Sequence, residues 1–211
     1  MHKSKIITDI NYFIENDLNF DIRSDGNIDD EDIFHGGDFK PFEMSDCNLL
    51  NLKQEFLSLK SSKKIKAILE IGICRNKFRS SCFCYFENKA PDTFYFGVDI
   101  EDKSFLDDPS KNIYTIRNNS SNIEEIMNYI NSLGIYEFDF IFIDGDHTLN
   151  QVLKDWRFTQ FLSHNGVVGL HDTNFHRGPK IFVDNLNTNK FIVDKLCLEP
   201  SDWGITFIRK L

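Results

Sequence analysis

Five short apolar runs, each stopped by glycine or a polar residue, constrain this chain more than any other feature of it. They are Ala67-Ile68-Leu69-Glu70-Ile71-Gly72, Phe94-Tyr95-Phe96-Gly97-Val98-Asp99-Ile100, Ile113-Tyr114-Thr115-Ile116, Phe138-Asp139-Phe140-Ile141-Phe142-Ile143 and Val167-Val168-Gly169-Leu170. The runs are nearly continuous rather than alternating, as parallel strands covered on both faces require. Between them lie helical patterns. Ile123, Ile126, Met127 and Ile130 share one face, and Val152, Trp156 and the stretch Phe158 to Leu162 form a second, with Ser120 and Ser121 offering hydroxyls where the first helix begins. Strand-helix-strand repetition predicts a Rossmann-like, doubly wound α/β fold. Two further runs, Ile192-Val193 and Gly204-Ile205-Thr206-Phe207-Ile208, are separated by the turn Glu199-Pro200-Ser201-Asp202. That turn suits a hairpin rather than a helical crossover, so the seven-stranded, mostly parallel sheet should carry one antiparallel strand near the C-terminus.

The N-terminal part has a different character. Ile6 to Phe20 fits an amphipathic helix, and Asn48 to Leu59 fits another, with Ser45 or Asp46 as its cap. Between them Asp21 to Phe42 is acidic and holds Gly26, Gly36, Gly37 and Pro41, the composition of a loop or lid. The chain therefore divides into residues 1–46, an N-terminal helix with an acidic lid or loop, and residues 47–211, the main domain. Asp21 to Asp32 has the central glycine of a calcium loop, but Arg23 falls on a ligand position and Asp32 replaces the terminal glutamate. It reads as a solvated acidic loop. The alternatives are a lid carrying His35 and Phe39 to the site, or a calcium-responsive interaction protein resting on this segment alone.

Composition removes several classes of function. A chain of 211 residues with 41% hydrophobic residues supports one sizeable core, and the 21 phenylalanines fall in short clusters as core residues do. The formal net charge of −9 sets the chain against duplexes and anionic membranes, so neither nucleic acid nor membrane is an expected partner. Five cysteines without a Cys-x-x-Cys pair argue against a disulfide framework and against structural zinc; Cys82 and Cys84 read as core thiols. With no signal-peptide core and no spanning run, the expected location is cytoplasmic.

Polar residues gather where the apolar runs stop: Glu70 and Gly72, Asp99, Asn118-Asn119-Ser120, Asp144-Gly145-Asp146-His147, and His171-Asp172-Thr173. Loops are polar in any α/β protein. Carboxylates after four separate buried runs ask for more, because an unpaired buried carboxylate is costly. A common crevice at the carboxyl ends of the strands accounts for all of them. No Gly-x-Gly-x-x-Gly follows the first run, which argues against a nicotinamide dehydrogenase.

The ordered set Glu70-x-Gly72, Gly97-Val98-Asp99, Phe142-Ile143-Asp144-Gly145-Asp146-His147 and Gly166-Val167-Val168-Gly169-Leu170-His171-Asp172 resembles the class I S-adenosylmethionine-dependent methyltransferases. It is most similar to the small-molecule O-methyltransferase branch that includes macrolide-sugar methyltransferases and cephalosporin-hydroxylase-like proteins. Gly178-Pro179 resembles a helix start in that branch. The resemblance spans about Leu49 to Leu211 and is most specific between Ala67 and Pro179.

The resemblance implies an O-methyltransferase that uses S-adenosylmethionine on a small-molecule hydroxyl, a sugar hydroxyl among the candidates. It implies cofactor contacts from Glu70, Gly72, Asp99, Asn119, Ser120 and Asp144. It further implies that Asp144, Asp172 and His171 hold a divalent cation such as Mg, and that His147 acts as base beside Asp144. Two departures stand out: Cys74-Arg75-Asn76-Lys77 follows Gly72 where the family has further glycines, and His171 stands where the family has glutamate. The second favours a softer ion or none. Read from the residues alone, His147 is either a base or a helix cap, His171 supports its neighbours, and Trp156 and Trp203 belong to the core. The competing reading is a non-catalytic methyltransferase-fold protein that binds a nucleoside or a protein partner.

Overall fold

The computed structural model describes residues 5–19, 44–73 and 80–211. The acidic segment with its calcium-loop pattern, His35, Phe39 and the turn Cys74-Arg75-Asn76-Lys77 lie outside the described residues. Seven strands form one sheet: β1 (Ala67–Ile71), β2 (Phe94–Asp99), β3 (Ile113–Arg117), β4 (Phe138–Ile143), β5 (Leu162–His171), β6 (Phe191–Leu196) and β7 (Ile205–Lys210). Their order is β3-β2-β1-β4-β5-β7-β6. The pairs from β3 across to β5 are all parallel, and β7 runs antiparallel to both β5 and β6. This is the expected sheet, with its one reversed strand closing the β6–β7 hairpin.

Alternation along the strands sorts the core into two layers. Ala67, Leu69 and Ile71 of β1 face the side that receives α1 (Ile10–Asp17), α4 (Ile123–Ser132), α5 (Leu149–Trp156) and α6 (Arg177–Asp184). Ile68 of β1, with Phe140 and Phe142 of β4, faces α2 (Asp46–Ser62) and α3 (Ser81–Asn88). Each helix turns an apolar stripe to the sheet. In α2 that stripe is Leu52, Phe56 and Leu59, with the polar Asn48 buried on the same face, and in α4 it is Ile123, Ile126, Met127 and Ile130. Burying such a large apolar side chain is worth about 1.5–3 kcal/mol, which holds the helices where their ends can carry chemistry.

Local signals differ in how well they foretold the helix ends. Ser45 caps α2 by accepting from the Asn48 N–H at 3.1 Å, as read from sequence. Ser120 and Ser121 do not cap α4; their hydroxyls turn to Asp155 and Gln151 on α5, and Asn122 takes the cap position. The helix read from Ile6 to Phe20 is shorter, and it joins the main core through Phe13 and Ile14. The segment Phe158 to Leu162 continues α5 as 3-10 helix over Arg157–Phe161 before β5 begins. Trp156 is core, as expected.

The cysteine reading needs one correction. Cys47 and Cys197 are bonded, with Cα atoms 6.1 Å apart. The odd count hid the pair because the partners lie 150 residues apart and meet only when the N-terminus of α2 reaches the β6–β7 turn. Cys82 and Cys84 are free, the first buried and the second partly so, and burial pushes their thiols up to about 12 and about 11. Among the described residues no helix is long and apolar enough to cross a membrane.

Candidate active site at the carboxyl ends of the strands

The strand order reverses between β1 and β4, and the polar strand ends collect at that switch point. Gly72, at φ +80°, follows β1 there and donates its N–H to the Val98 carbonyl at 2.9 Å. A Cβ on Gly72 would lie 2.1 Å from the Asp144 carbonyl oxygen, so no other residue fits. The glycine thus serves the close approach of the β1 and β4 ends first.

Asp99 closes β2 beside it. Its two oxygens accept the backbone N–H groups of Ile73 and Glu101, each at 2.8 Å. Its side chain is 13% exposed and lies 3.9 Å from the Lys103 ammonium. A carboxylate with one donor on each oxygen keeps lone pairs for two more, which is what a ribose diol supplies. Asn119, expected at the same edge, is exposed and accepts the Ser121 N–H at 2.8 Å.

Two residues read as cofactor contacts turn inward. Glu70 is fully buried on the α3 side, where Ser81 and Tyr95 donate their hydroxyls to its two oxygens. Burial pushes its carboxyl up to about 8 against these hydrogen bonds, so it stays protonated at neutral pH. The Ser120 hydroxyl donates to Asp155 at 2.6 Å and receives the Gln151 amide at 2.8 Å. Asp155 is itself fully buried, its carboxyl is pushed up to about 7 by burial, and its Oδ2 has no hydrogen-bond partner.

The remaining predicted residues come together. His147 Nε2 lies 2.7 Å from Asp172 Oδ2, and His171 Nδ1 lies 2.9 Å from Asp144 Oδ1 and 3.3 Å from Asp172 Oδ1. Asp172 sits at φ +62°, a left-handed conformation aspartate tolerates, and it aims one oxygen at each imidazole. Burial alone would raise Asp172 and lower both histidines. The pairing overrides it, so Asp172 titrates far below an ordinary carboxylate and both rings above an ordinary histidine. Asp144 is raised by burial, with His171 opposing. Asp146 takes no part and accepts the Thr148 N–H at 2.8 Å, ordering the turn before α5. Gly178 lets α6 pack on that turn, since a Cβ there would lie 2.1 Å from the His147 carbonyl oxygen.

Sequence reasoning missed three neighbours. Asn48 of α2 brings its amide nitrogen 3.1 Å from His171 Nε2, and its signal was a polar residue in the buried stripe of a helix. Asp155 carried the same signal on α5. His176 had none; its ring stacks on His147 with centroids 3.7 Å apart and planes 11° apart. Trp203, read as core, is instead half-buried and lies parallel to His176.

No family model and no curated protein matches this sequence. Solved structures do match. MycE, a methyltransferase of mycinamycin biosynthesis in complex with Mg, SAH and mycinamycin VI, superposes with TM-score 0.55 at 16% identity, over 76% of this chain and 48% of MycE. TomG, an O-methyltransferase from Streptomyces achromogenes involved in tomaymycin synthesis and in complex with SAM, gives 0.52 at 12% identity, over 79% and 82% of the two chains. The fibrillarin pre-rRNA processing protein of Methanococcus jannaschii gives 0.52 at 17% identity, over 69% and 66%.

The chain has the class I methyltransferase fold. The match spans about half the length of MycE. In this methyltransferase fold the reversal of strand order puts Gly72 and Asp99 on one side of the switch point and the histidine–aspartate cluster on the other.

Proposed function

We propose that this chain is an S-adenosylmethionine-dependent methyltransferase acting on a hydroxyl of a small molecule, with sugar hydroxyls the first acceptors to test. The observation that carries the reading is the His147–Asp172 pair, 2.7 Å apart and set at the strand ends of a methyltransferase fold. S-adenosylmethionine, when bound, supplies the electrophilic methyl group. Asp99 would hold the ribose hydroxyls, and the backbone of Gly72 would line the same end of β1. Asp172 accepts the proton on His147 Nε2, which fixes the tautomer and leaves the Nδ1 lone pair for the acceptor hydroxyl. His147 is 37% exposed, open enough to meet an acceptor, while Asp172 at 7% is shielded from competing water.

The fold also serves rRNA processing proteins, but a net charge of −9 works against a polyanionic acceptor. Calorimetric titration of the full chain with S-adenosylmethionine tests the reading. Saturable binding is expected, weakened at least about tenfold by Asp99→Ala, which removes charge-assisted hydrogen bonds. A wild-type protein that takes up no S-adenosylmethionine would leave only the non-catalytic reading.

A further inference from the structure

We infer that the imidazole of His171 takes the place of a divalent cation in this site: one fixed ring N–H, not Mg2+, holds Asp144 and Asp172 together and so positions the base His147. The inference rests on the reading of the site given under the proposed function. Asp144, His171 and Asp172 bring one donor atom each within 4.8 Å of one another, which by distance alone suits an ion. The orientation does not. His171 Nδ1 faces carboxylate oxygens at 2.9 and 3.3 Å, and a lone pair there would be repelled by both, so that nitrogen carries a hydrogen. Asp144 Oδ1 and Asp172 Oδ1 thus both face the ring N–H, the closest cationic or donor group to either in this cluster. Mg2+ needs its oxygens at about 2.0–2.1 Å in near-octahedral order, and the ring nitrogen stands in that space.

His171 is also unable to step aside. Its side chain is 1% exposed, its backbone pairs with Ile205 of β7, and its ring lies 6.4 Å from that of Phe142. Its other nitrogen meets Asn48, whose helix is capped by Ser45 and tied to the β6–β7 turn through Cys47 and Cys197. A second donor set, His147, Asp172 and His176, also falls within 4.8 Å. There the two rings are stacked 11° from parallel, so their in-plane lone pairs run side by side and do not converge on one ion. Asp172 is the link to function: one oxygen lies 3.3 Å from the His171 Nδ1 whose N–H goes to Asp144, and the other lies 2.7 Å from His147 Nε2. His171 is thus a positioning residue.

Magnesium titration of the full-length protein, followed by thermal shift and by 15N NMR of the histidine rings, tests this without an activity readout. The wild type should show no Mg2+-dependent rise in melting temperature at millimolar Mg2+, and His171 Nδ1 should keep its protonated-nitrogen signal. His171→Glu, which sets a third carboxylate where the N–H was, should gain Mg2+-dependent stabilisation. If that variant does not fold, the wild-type titration and ring signals still decide. Saturable one-to-one Mg2+ binding by the wild type, lost in Asp144→Asn or accompanied by loss of the Nδ1–H signal, overturns the inference. S-adenosylmethionine binding measured on the same samples, with and without EDTA, separates failure of this inference from failure of the methyltransferase reading.

Discussion

The two ends of β4 carry aspartates five residues apart, and they do opposite work. At the amino end Asp139 accepts the Lys66 N–H at 2.5 Å and the Ser163 hydroxyl at 2.6 Å, and pairs with the Lys63 ammonium at 2.5 Å. Its carboxyl is lowered despite burial, because the Lys63 ammonium, just past α2, and the Ser163 hydroxyl bond to it. At the carboxyl end Asp144, with Asp172 just past the end of β5, meets imidazoles instead. An aspartate inside an apolar run is therefore no sign of chemistry in itself. A lysine ammonium makes it a clamp, whereas imidazole partners make it part of the candidate site. Glu70, one strand over, gives the third outcome: among neutral hydroxyls and fully buried, it stays protonated.

Exchanging the partners is the way to break this contrast. The largest effect is expected at Asp172→Asn, which leaves His147 without an anionic partner. Methyl transfer should fall about 10²–10⁴-fold, the range general base catalysis supplies. S-adenosylmethionine affinity, measured by calorimetry, should stay within about threefold, since Asp172 is not among the proposed cofactor contacts. A variant that retains full turnover would show that the pair is structural.

Next comes Glu70→Gln. The carboxyl of Glu70 titrates near 8 in the fold against 4.5 for a free one, so the folded state holds the proton more tightly. Its stability contribution is complete below about pH 4.5 and is lost as pH rises through about 8. Wild-type stability should therefore decline by about 1.4 kcal/mol per pH unit across that window, and the glutamine variant should lack this decline. Urea melts at several pH values decide; parallel slopes in the two proteins would contradict a buried neutral acid. The smallest effect is expected at Asp139→Asn, about 1.5–3 kcal/mol of stability, the range for hydrogen bonds to a charged group. Ligand binding should be untouched, because the substitution lies at the far end of the strand. A loss of S-adenosylmethionine affinity there would erase the distinction between the two ends.

Much of the fold was legible because periodicity reports burial directly. Runs such as Phe138 to Ile143 have both faces covered, and the short turn after Leu198 left no room for a crossover. The grouping of Asp144, His147, His171 and Asp172 was legible, because each lies at a strand end or in the loop just past it. What escaped depends on which elements meet in space. Glu70 ends its strand like the others, but its side chain points to the α3 layer, and period-two alternation was needed to see that. Ser120 looked like a helix cap until Asp155 came within reach from α5. Cys47 and Cys197 are brought together by the whole sheet. His176 reaches His147 because α6 packs on the turn through Gly178, a contact that sequence spacing does not encode.

The most direct measurement is a crystal of the full chain soaked with S-adenosylhomocysteine. The account predicts density with the ribose against Asp99, the backbone of Gly72 beneath it, and the sulfur directed toward the His147–Asp172 pair. Density elsewhere, or a sulfur turned away from His147 with the ribose off Asp99, would contradict it.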